Sequence, residues 1–134
     1  LRIEGLSVAY GPVTALDGVS LDVGKGEIVA LLGANGAGKT TLLRTISGLV
    51  RSKAGSVKFD GKAIDRVSPE DRVRAGLVHV PERRRIFPGL TVLENLMVAT
   101  APWRSFNGSI QAELDQVFDL FPRLKERRPQ FGYP

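Results

Sequence analysis

One stretch of the chain limits the possible folds more than any other. Residues 28–32 (Ile-Val-Ala-Leu-Leu) are apolar without alternation, as expected of a strand covered on both faces of a parallel sheet. Gly33-Ala34-Asn35-Gly36-Ala37-Gly38-Lys39-Thr40 follows at once and fits G-x-x-x-x-G-K-[ST] in full. Beyond it, Leu42, Leu43, Ile46 and Leu49 fall on one helical stripe, with Gly48 as the expected stop. Strand, glycine-rich turn and helix form the order that a phosphate cradle needs. The glycines let the backbone curl so that successive N–H groups point at phosphate oxygens, and the helix start adds positive dipole and unpaired donors. Lys39 would then reach the β- and γ-phosphates as a point charge, with the Thr40 hydroxyl on Mg²⁺. Glycine is abundant, at 15 residues, yet chance should produce such a match in only roughly 1 % of chains this long. The motif points to an α/β fold built around a nucleotide site.

The rest of the chain divides into sheet and helix signals. Leu6-Ser7-Val8-Ala9-Tyr10 ends at Gly11-Pro12, and Val19, Leu21 and Val23 alternate with polar or small residues, so two strands with one buried face are expected. Val57 and Phe59 alternate with Lys58 and Asp60 ahead of an Asp60-Gly61 hairpin dipeptide. Ser68-Pro69-Glu70-Asp71 supplies an N-cap, a proline for the first helical position and first-turn acid, for a short helix stopping at Gly76. Leu77-Val78-His79-Val80 reads as a second buried strand closed by Pro81. Thr91-Val92-Leu93-Glu94 is a capping box. Ile110, Leu114, Val117, Phe118 and Phe121 share one face of a last helix that ends at Pro122.

Composition adds exclusions. Without cysteine, no disulfide and no thiolate metal site can form. No apolar run approaches the roughly 20 residues of a membrane-spanning helix, and no signal-peptide pattern opens the chain. At 43 % hydrophobic and 25 % charged, the 134 residues can fill the core of one domain or a large piece of one. A net charge of +5 would suit an anionic partner. The basic residues are nonetheless scattered, apart from Arg83-Arg84-Arg85 and residues 125–128, and no nucleic-acid partner is expected.

Tyr10, the loop at 33–41, Glu82 and the segment from Leu90 to Asn95 together resemble the N-terminal half of an ABC-transporter ATP-binding subunit. They are most similar to the ATPases of branched-chain amino acid importers, with residues 80–87 (Val-Pro-Glu-Arg-Arg-Arg-Ile-Phe) as the importer-specific piece. The resemblance runs from residue 1 to about 128. It implies an ABC ATPase-type P-loop core over residues 1–89 with flanking antiparallel β strands, and the start of a helical subdomain over 90–128. ATP with Mg²⁺ is the implied cofactor, held by Tyr10, Gly33, Asn35, Gly36, Ala37, Gly38, Lys39, Thr40 and Thr41. Tyr10 matches the aromatic that stacks on adenine, a contact worth about 1–3 kcal/mol; the alternative is a strand-end aromatic covering core. Thr41 matches the residue at the α-phosphate. Glu82 falls at the Q-loop position, where most members carry glutamine. As a hard oxygen ligand it would share Mg²⁺ with Thr40, or else it is a solvated loop charge. Arg83, Arg84 and Arg85 are either a solvated face or a docking edge for a permease. His79, the only histidine, is expected to be a satisfied strand residue. Trp103 and Phe106 flank a loop, as core or interface. The implied partners are transmembrane permease subunits and a second ABC ATPase subunit, with this chain as a peripheral subunit on the cytoplasmic face of the membrane. The implied work is uptake of a small solute, a branched-chain or related amino acid.

Three parts of that family pattern do not occur in these residues. No four apolar residues are followed by Asp-Glu after Arg85, no Leu-Ser-Gly-Gly-type signature appears, and no histidine follows Glu82. The chain is therefore expected to be incomplete at its C-terminus, and to bind ATP without hydrolysing it. The rival is a non-catalytic nucleotide-binding regulatory module. A soluble P-loop kinase or GTPase fits less well, given Tyr10, the Glu82 segment and the lack of an Asn-Lys-x-Asp motif.

Overall fold

The structure is a computed structural model that describes residues 1–83, 85–101 and 109–132. It comprises two compact units, Leu1–His79 and Val80–Pro134. Arg84, Trp103 and Phe106 lie outside the described residues.

In the first unit, β1 (Arg2–Tyr10), β2 (Val13–Asp22), β3 (Ala54–Phe59) and β4 (Lys62–Ala63) form an antiparallel sheet in the order β2-β1-β3-β4. β1 and β2 make a hairpin closed at Gly11-Pro12, with Tyr10 opposite Val13. Strict alternation would put Ile3 and Leu6 on opposite faces, yet both are buried. Register shifts between them, at Gly5 with φ 57, switch the face and bring Ile3, Leu6 and Val8 together. Asp60 and Gly61 turn β3 into β4 with positive φ at both, as the dipeptide predicts. Helix α1 (Lys39–Ile46) sinks Leu42 and Ile46 into the same apolar cluster, beside Leu16, Val57 and Ile64. Leu43 and Leu49, expected on the buried stripe, are exposed, because the helix stops at Ile46 and only its inner edge meets the sheet. Helix α2 (Pro69–Arg74) starts as expected, with Ser68 Oγ accepting the Asp71 N–H. Arg74 and Ser68 both hydrogen-bond the Asp71 carboxyl, which holds its pKa below the ordinary value.

Two expected strands are not formed. Residues 28–32 and 77–80 carry no sheet pairing, and Ile28 is 97 % and Leu32 88 % exposed, with Val78 and Val80 also exposed. A strand apolar on both faces exists only with neighbours on each side to pair with and layers to cover it. All four described strands are committed to the antiparallel sheet, so these segments have none. His79 accordingly sits half-buried outside any strand.

The second unit is built on α3 (Val92–Val98), α4 (Ile110–Leu120) and α5 (Pro122–Glu126). Thr91 and Glu94 form the complete capping box, and the Val92 and Leu93 N–H groups donate to Gln130 and Arg128 carbonyls. Asn95 joins the segment before α3 to the helix: its Oδ1 accepts the Phe87 N–H at 2.8 Å, and its amide donates to the Leu90 carbonyl at 3.1 Å. α4 buries Leu114 and Phe118, with the Arg128 guanidinium 5.8 Å from the Phe118 ring centre. Ile110 and Phe121, expected on that face, are exposed at the two ends of the helix.

Two outcomes follow from this packing. The apolar segments 28–32 and 77–80 present unpaired backbone and bare Val, Leu and Ile surface, an aggregation hazard. The isolated polypeptide is expected to self-associate at micromolar concentration. Light scattering that shows a monodisperse monomer with a sharp cooperative melt would refute this.

Hydrogen bonds from Thr91 lower the Glu94 pKa. A carboxylate with depressed pKa adds stability that is fully present above its unfolded pKa and is lost as pH falls through its folded one. Helix content from α3 should therefore fall on acidification below the ordinary glutamate range, and Glu94→Gln should flatten that response. An unchanged acid profile in Glu94→Gln would remove the capping box as its cause.

Candidate nucleotide site

The glycine-rich loop rests on the hairpin by way of Gly38. Its φ is 90, and a Cβ built there would lie 2.6 Å from the Ala15 carbonyl oxygen and 2.6 Å from Leu16 Cδ2. Only a residue without a side chain allows this approach and this backbone angle together. α1 leaves the loop from that anchored point.

The helix starts differ in how they are capped. α2, α3 and α4 are each capped by a hydroxyl, from Ser68, Thr91 and Ser109, while α5 has no side-chain cap but starts at Pro122, which has no N–H to satisfy. α1 begins at Gly38 with no side-chain cap. Its first-turn N–H groups and the positive end of its dipole are thus directed at the loop, which is the donor set an anion requires. Lys39 belongs to the same arrangement. Its ammonium donates to the Gly33 carbonyl at 2.6 Å and the Ala34 carbonyl at 2.7 Å, which folds the side chain back over the loop. Phosphate oxygens would replace these loop carbonyls as stronger, charged acceptors.

Gly33, Asn35, Gly36 and Ala37 are exposed in the loop, which the Ala37 N–H to Ala34 carbonyl bond at 3.2 Å tightens. Thr40 is exposed in the first turn of α1, and Thr41 is half-buried, its carbonyl accepting from Thr45 Oγ1 at 2.9 Å. Tyr10 is exposed at the tip of the hairpin and pairs with Val13, two residues along β2 from Ala15. At about 3.3 Å rise per residue this puts it within roughly 7 Å, along the strand, of the place where Gly38 rests. The structure thus gathers Tyr10, the loop and Thr40–Thr41 in the first unit. Glu82 is an exposed residue of the second unit, as are Arg83 and Arg85. Arg83 and Arg85 adopt positive φ, 64 and 26, which non-glycine residues rarely do.

Sequence reasoning missed two contributors. Ala15 and Leu16, the seat of Gly38, lie in the half of β2 that carries no alternation signal. Arg72 in Pro-Glu-Asp-Arg-Val-Arg reads as a solvated charge, yet it is 4 % exposed and bonded to the last carbonyls of α1. Nothing in its sequence spacing signals that.

The sequence profile of the ABC transporter family matches residues 16–131. The chain belongs to the ABC transporter ATPase family. It is similar to the high-affinity branched-chain amino acid transport ATP-binding protein BraG of Pseudomonas aeruginosa, with 43 % identity over 130 residues, 97 % of this chain and 55 % of that protein. It is also similar to the ribose import ATP-binding protein RbsA 2 of Streptomyces avermitilis, 41 % identical over 106 residues, 79 % of this chain and 21 % of that protein. The chain spans about half, or less, of the length of these curated relatives. Among solved structures, one described as the ATP binding subunit of an ABC transporter matches with a TM-score of 0.82 at 30 % identity, over 97 % of this chain and 53 % of that one. A nucleotide-free ATP-binding cassette from an ABC transporter matches at 0.75 and 26 %, over 97 % and 56 %. The ABC ATPase-type fold expected from the motifs, and the likeness to branched-chain importer ATPases, agree with these relatives.

The loop's anchor is testable by comparing two glycines. Gly36 also has positive φ, 86, but open space around it, whereas Gly38 is pressed on β2. Gly36→Ala is expected to cost about 1–2 kcal/mol from backbone strain alone. Gly38→Ala should cost more, because the Ala15 backbone must also move. Equal losses in urea denaturation would contradict the packing role of Gly38.

Proposed function

We propose that this chain is the nucleotide-binding portion of an ABC importer ATPase, and that it binds Mg²⁺-ATP on the loop Gly33–Thr41. The observation that carries the reading is the uncapped α1 N-terminus behind a loop whose lysine already folds over it, on a sheet with Tyr10 at its edge. In this reading the adenine stacks on Tyr10, the N–H groups from Gly36 to Thr41 bind the phosphates, and Lys39 neutralises the β- and γ-oxygens. The Thr40 hydroxyl is the loop's ligand for Mg²⁺. That fits a metal taken up with substrate phosphates and not in an all-protein cage. Thr41 is proposed to contact the α-phosphate, and Glu82, in the second unit, is proposed as the hard oxygen group of the Q-loop position.

The work of the whole subunit is proposed to be ATP binding and hydrolysis coupled to solute uptake, with a permease and a second ATPase subunit as partners at the cytoplasmic face of the membrane. Among the described residues no helix is long and apolar enough to cross a membrane. The solute is proposed to be a branched-chain or related amino acid, on the strength of the 43 % identical relative; the ribose importers among its relatives make sugars the competing class. The 134 residues hold no apolar strand ending in Asp-Glu, so the polypeptide by itself is proposed to bind ATP without turning it over.

Titration calorimetry tests the site. Lys39→Ala removes one charge-assisted contact, worth about 1.5–3 kcal/mol, and is expected to weaken Mg²⁺-ATP binding roughly ten- to a hundredfold. Equal affinity in both proteins would sink the assignment. Phosphate release near 1 s⁻¹ that Lys39→Ala abolishes would show a water-activating group within these residues, with Glu82→Gln the next variant to make.

A further inference from the structure

Arg72, on α2, is a buried charge that the nucleotide reading does not use. Its guanidinium donates from Nε to the Val67 carbonyl at 3.0 Å, and from Nη2 to the Ile64 carbonyl at 2.5 Å. From Nη1 it reaches the Thr45 carbonyl at 2.9 Å and the Ile46 carbonyl at 2.7 Å. All four acceptors are backbone carbonyls. Thr45 and Ile46 are the last two residues of α1, the helix whose first residues are Lys39 and Thr40. The Thr45 carbonyl also accepts the Gly48 N–H at 3.0 Å; terminal carbonyls carry the negative end of the dipole, so a buried cation there is favoured. Burial lowers the Arg72 pKa and the Asp65 charge opposes that shift, while guanidinium stays protonated throughout the ordinary range.

The chain leaves room for this bond set. A Cβ at Gly48 would lie 2.9 Å from Arg72 Nε and 3.1 Å from Cζ. Only a bare backbone lets the guanidinium plane lie against the turn that follows α1. The planar fork fixes the directions of its donors, which a lysine ammonium would not do. Beside it opens a cavity of about 580 Å³, lined by Arg72 with Thr45, Gly48 and Ser68 among others.

We propose that Arg72 is a positioning residue for the nucleotide site: by tying the C-terminal carbonyls of α1 to residues 64–67, it fixes where that helix presents Lys39 and Thr40. The proposal rests on the nucleotide reading above. α1 has eight residues, about 12 Å of helix, too short to bend and too short to hold itself. A shift at its C-terminal end is therefore carried to its first turn. Its seat on the sheet, Leu42 and Ile46, sets which face turns inward, but apolar contacts are non-directional and fix the helix end less closely than directed bonds do. The four bonds from Arg72 hold that end in place.

The test is Mg²⁺-ATP titration of the whole chain as wild type, Lys39→Ala, Arg72→Lys and Arg72→Ala. Arg72→Lys is expected to weaken binding roughly three- to thirtyfold, the range in which residues away from a ligand modulate its affinity, with stoichiometry near one and an unchanged circular dichroism spectrum. Arg72→Ala should be weaker still. Millimolar methylguanidinium should restore it several-fold by entering the cavity, and methylammonium at equal ionic strength should not. Wild-type affinity in Arg72→Lys would overturn the proposal. So would a loss confined to the active fraction, or equal rescue by both cations. If Arg72→Ala does not fold, Arg72→Lys decides. Failure of the wild type to bind, or indifference to Lys39→Ala, would instead overturn the nucleotide reading and this inference with it.

Discussion

The phosphate loop depends first on Leu42 and Ile46 of α1, sunk into the apolar cluster formed by Ile3, Leu6, Val8 and Val57. Eight residues cannot form a stable helix in water, since helix nucleation is costly and such a short segment regains little by propagation. Burial of the two side chains, about 1.5–3 kcal/mol each, is what makes α1 a fixed object. Without it Lys39 and Thr40 would have no defined direction. The bulge at Gly5 belongs to the same cause, because it turns Ile3 and Leu6 to the same face and completes the surface that receives the helix.

Polar groups are distributed around α1 with a clear asymmetry. Hydroxyls cap the starts of α2, α3 and α4, and chain carbonyls take two further N–H groups of α3. At α1 the start has no such cap, while the far end is closed by a guanidinium. Unpaired backbone donors are tolerable where water or a ligand satisfies them, and costly where they are buried. The helix therefore starts without a side-chain cap on the side of the loop and secures its acceptors on the side of the core. Open space for an anion at one end and rigid seating at the other are what the proposed phosphate site asks of this short helix.

The second unit follows a different logic. Its order comes from local closure: the capping box, the Asn95 bridge and the return of residues 128–132 to the start of α3. What stays exposed is equally informative. Ile28, Leu32, Val78 and Val80 have the composition of central strands but no neighbours to pair with. The relatives that this chain matches are about twice its length or more.

The local structure of the candidate site was legible in the sequence because it is written in consecutive residues. Gly33 to Thr41 forms one turn and one helix start, and the caps at Ser68 and Thr91 and the Asp60-Gly61 turn each need only four residues to be specified. The family could be recognised for the same reason. Residues 28–32 and 77–80 show the limit of such reading, since their apolar runs state a preference for burial on two faces and cannot supply the strands that would provide it. Tertiary structure alone decided what lies against the loop. Gly38 needs Ala15 and Leu16, 22 or more residues away, and the buried cation at the end of α1 comes from α2, with 27 residues separating Arg72 from Thr45. No pattern in a linear chain marks such a pair, because a close approach of two backbones and a charge matched to distant carbonyls are properties of the packed fold and not of any segment within it.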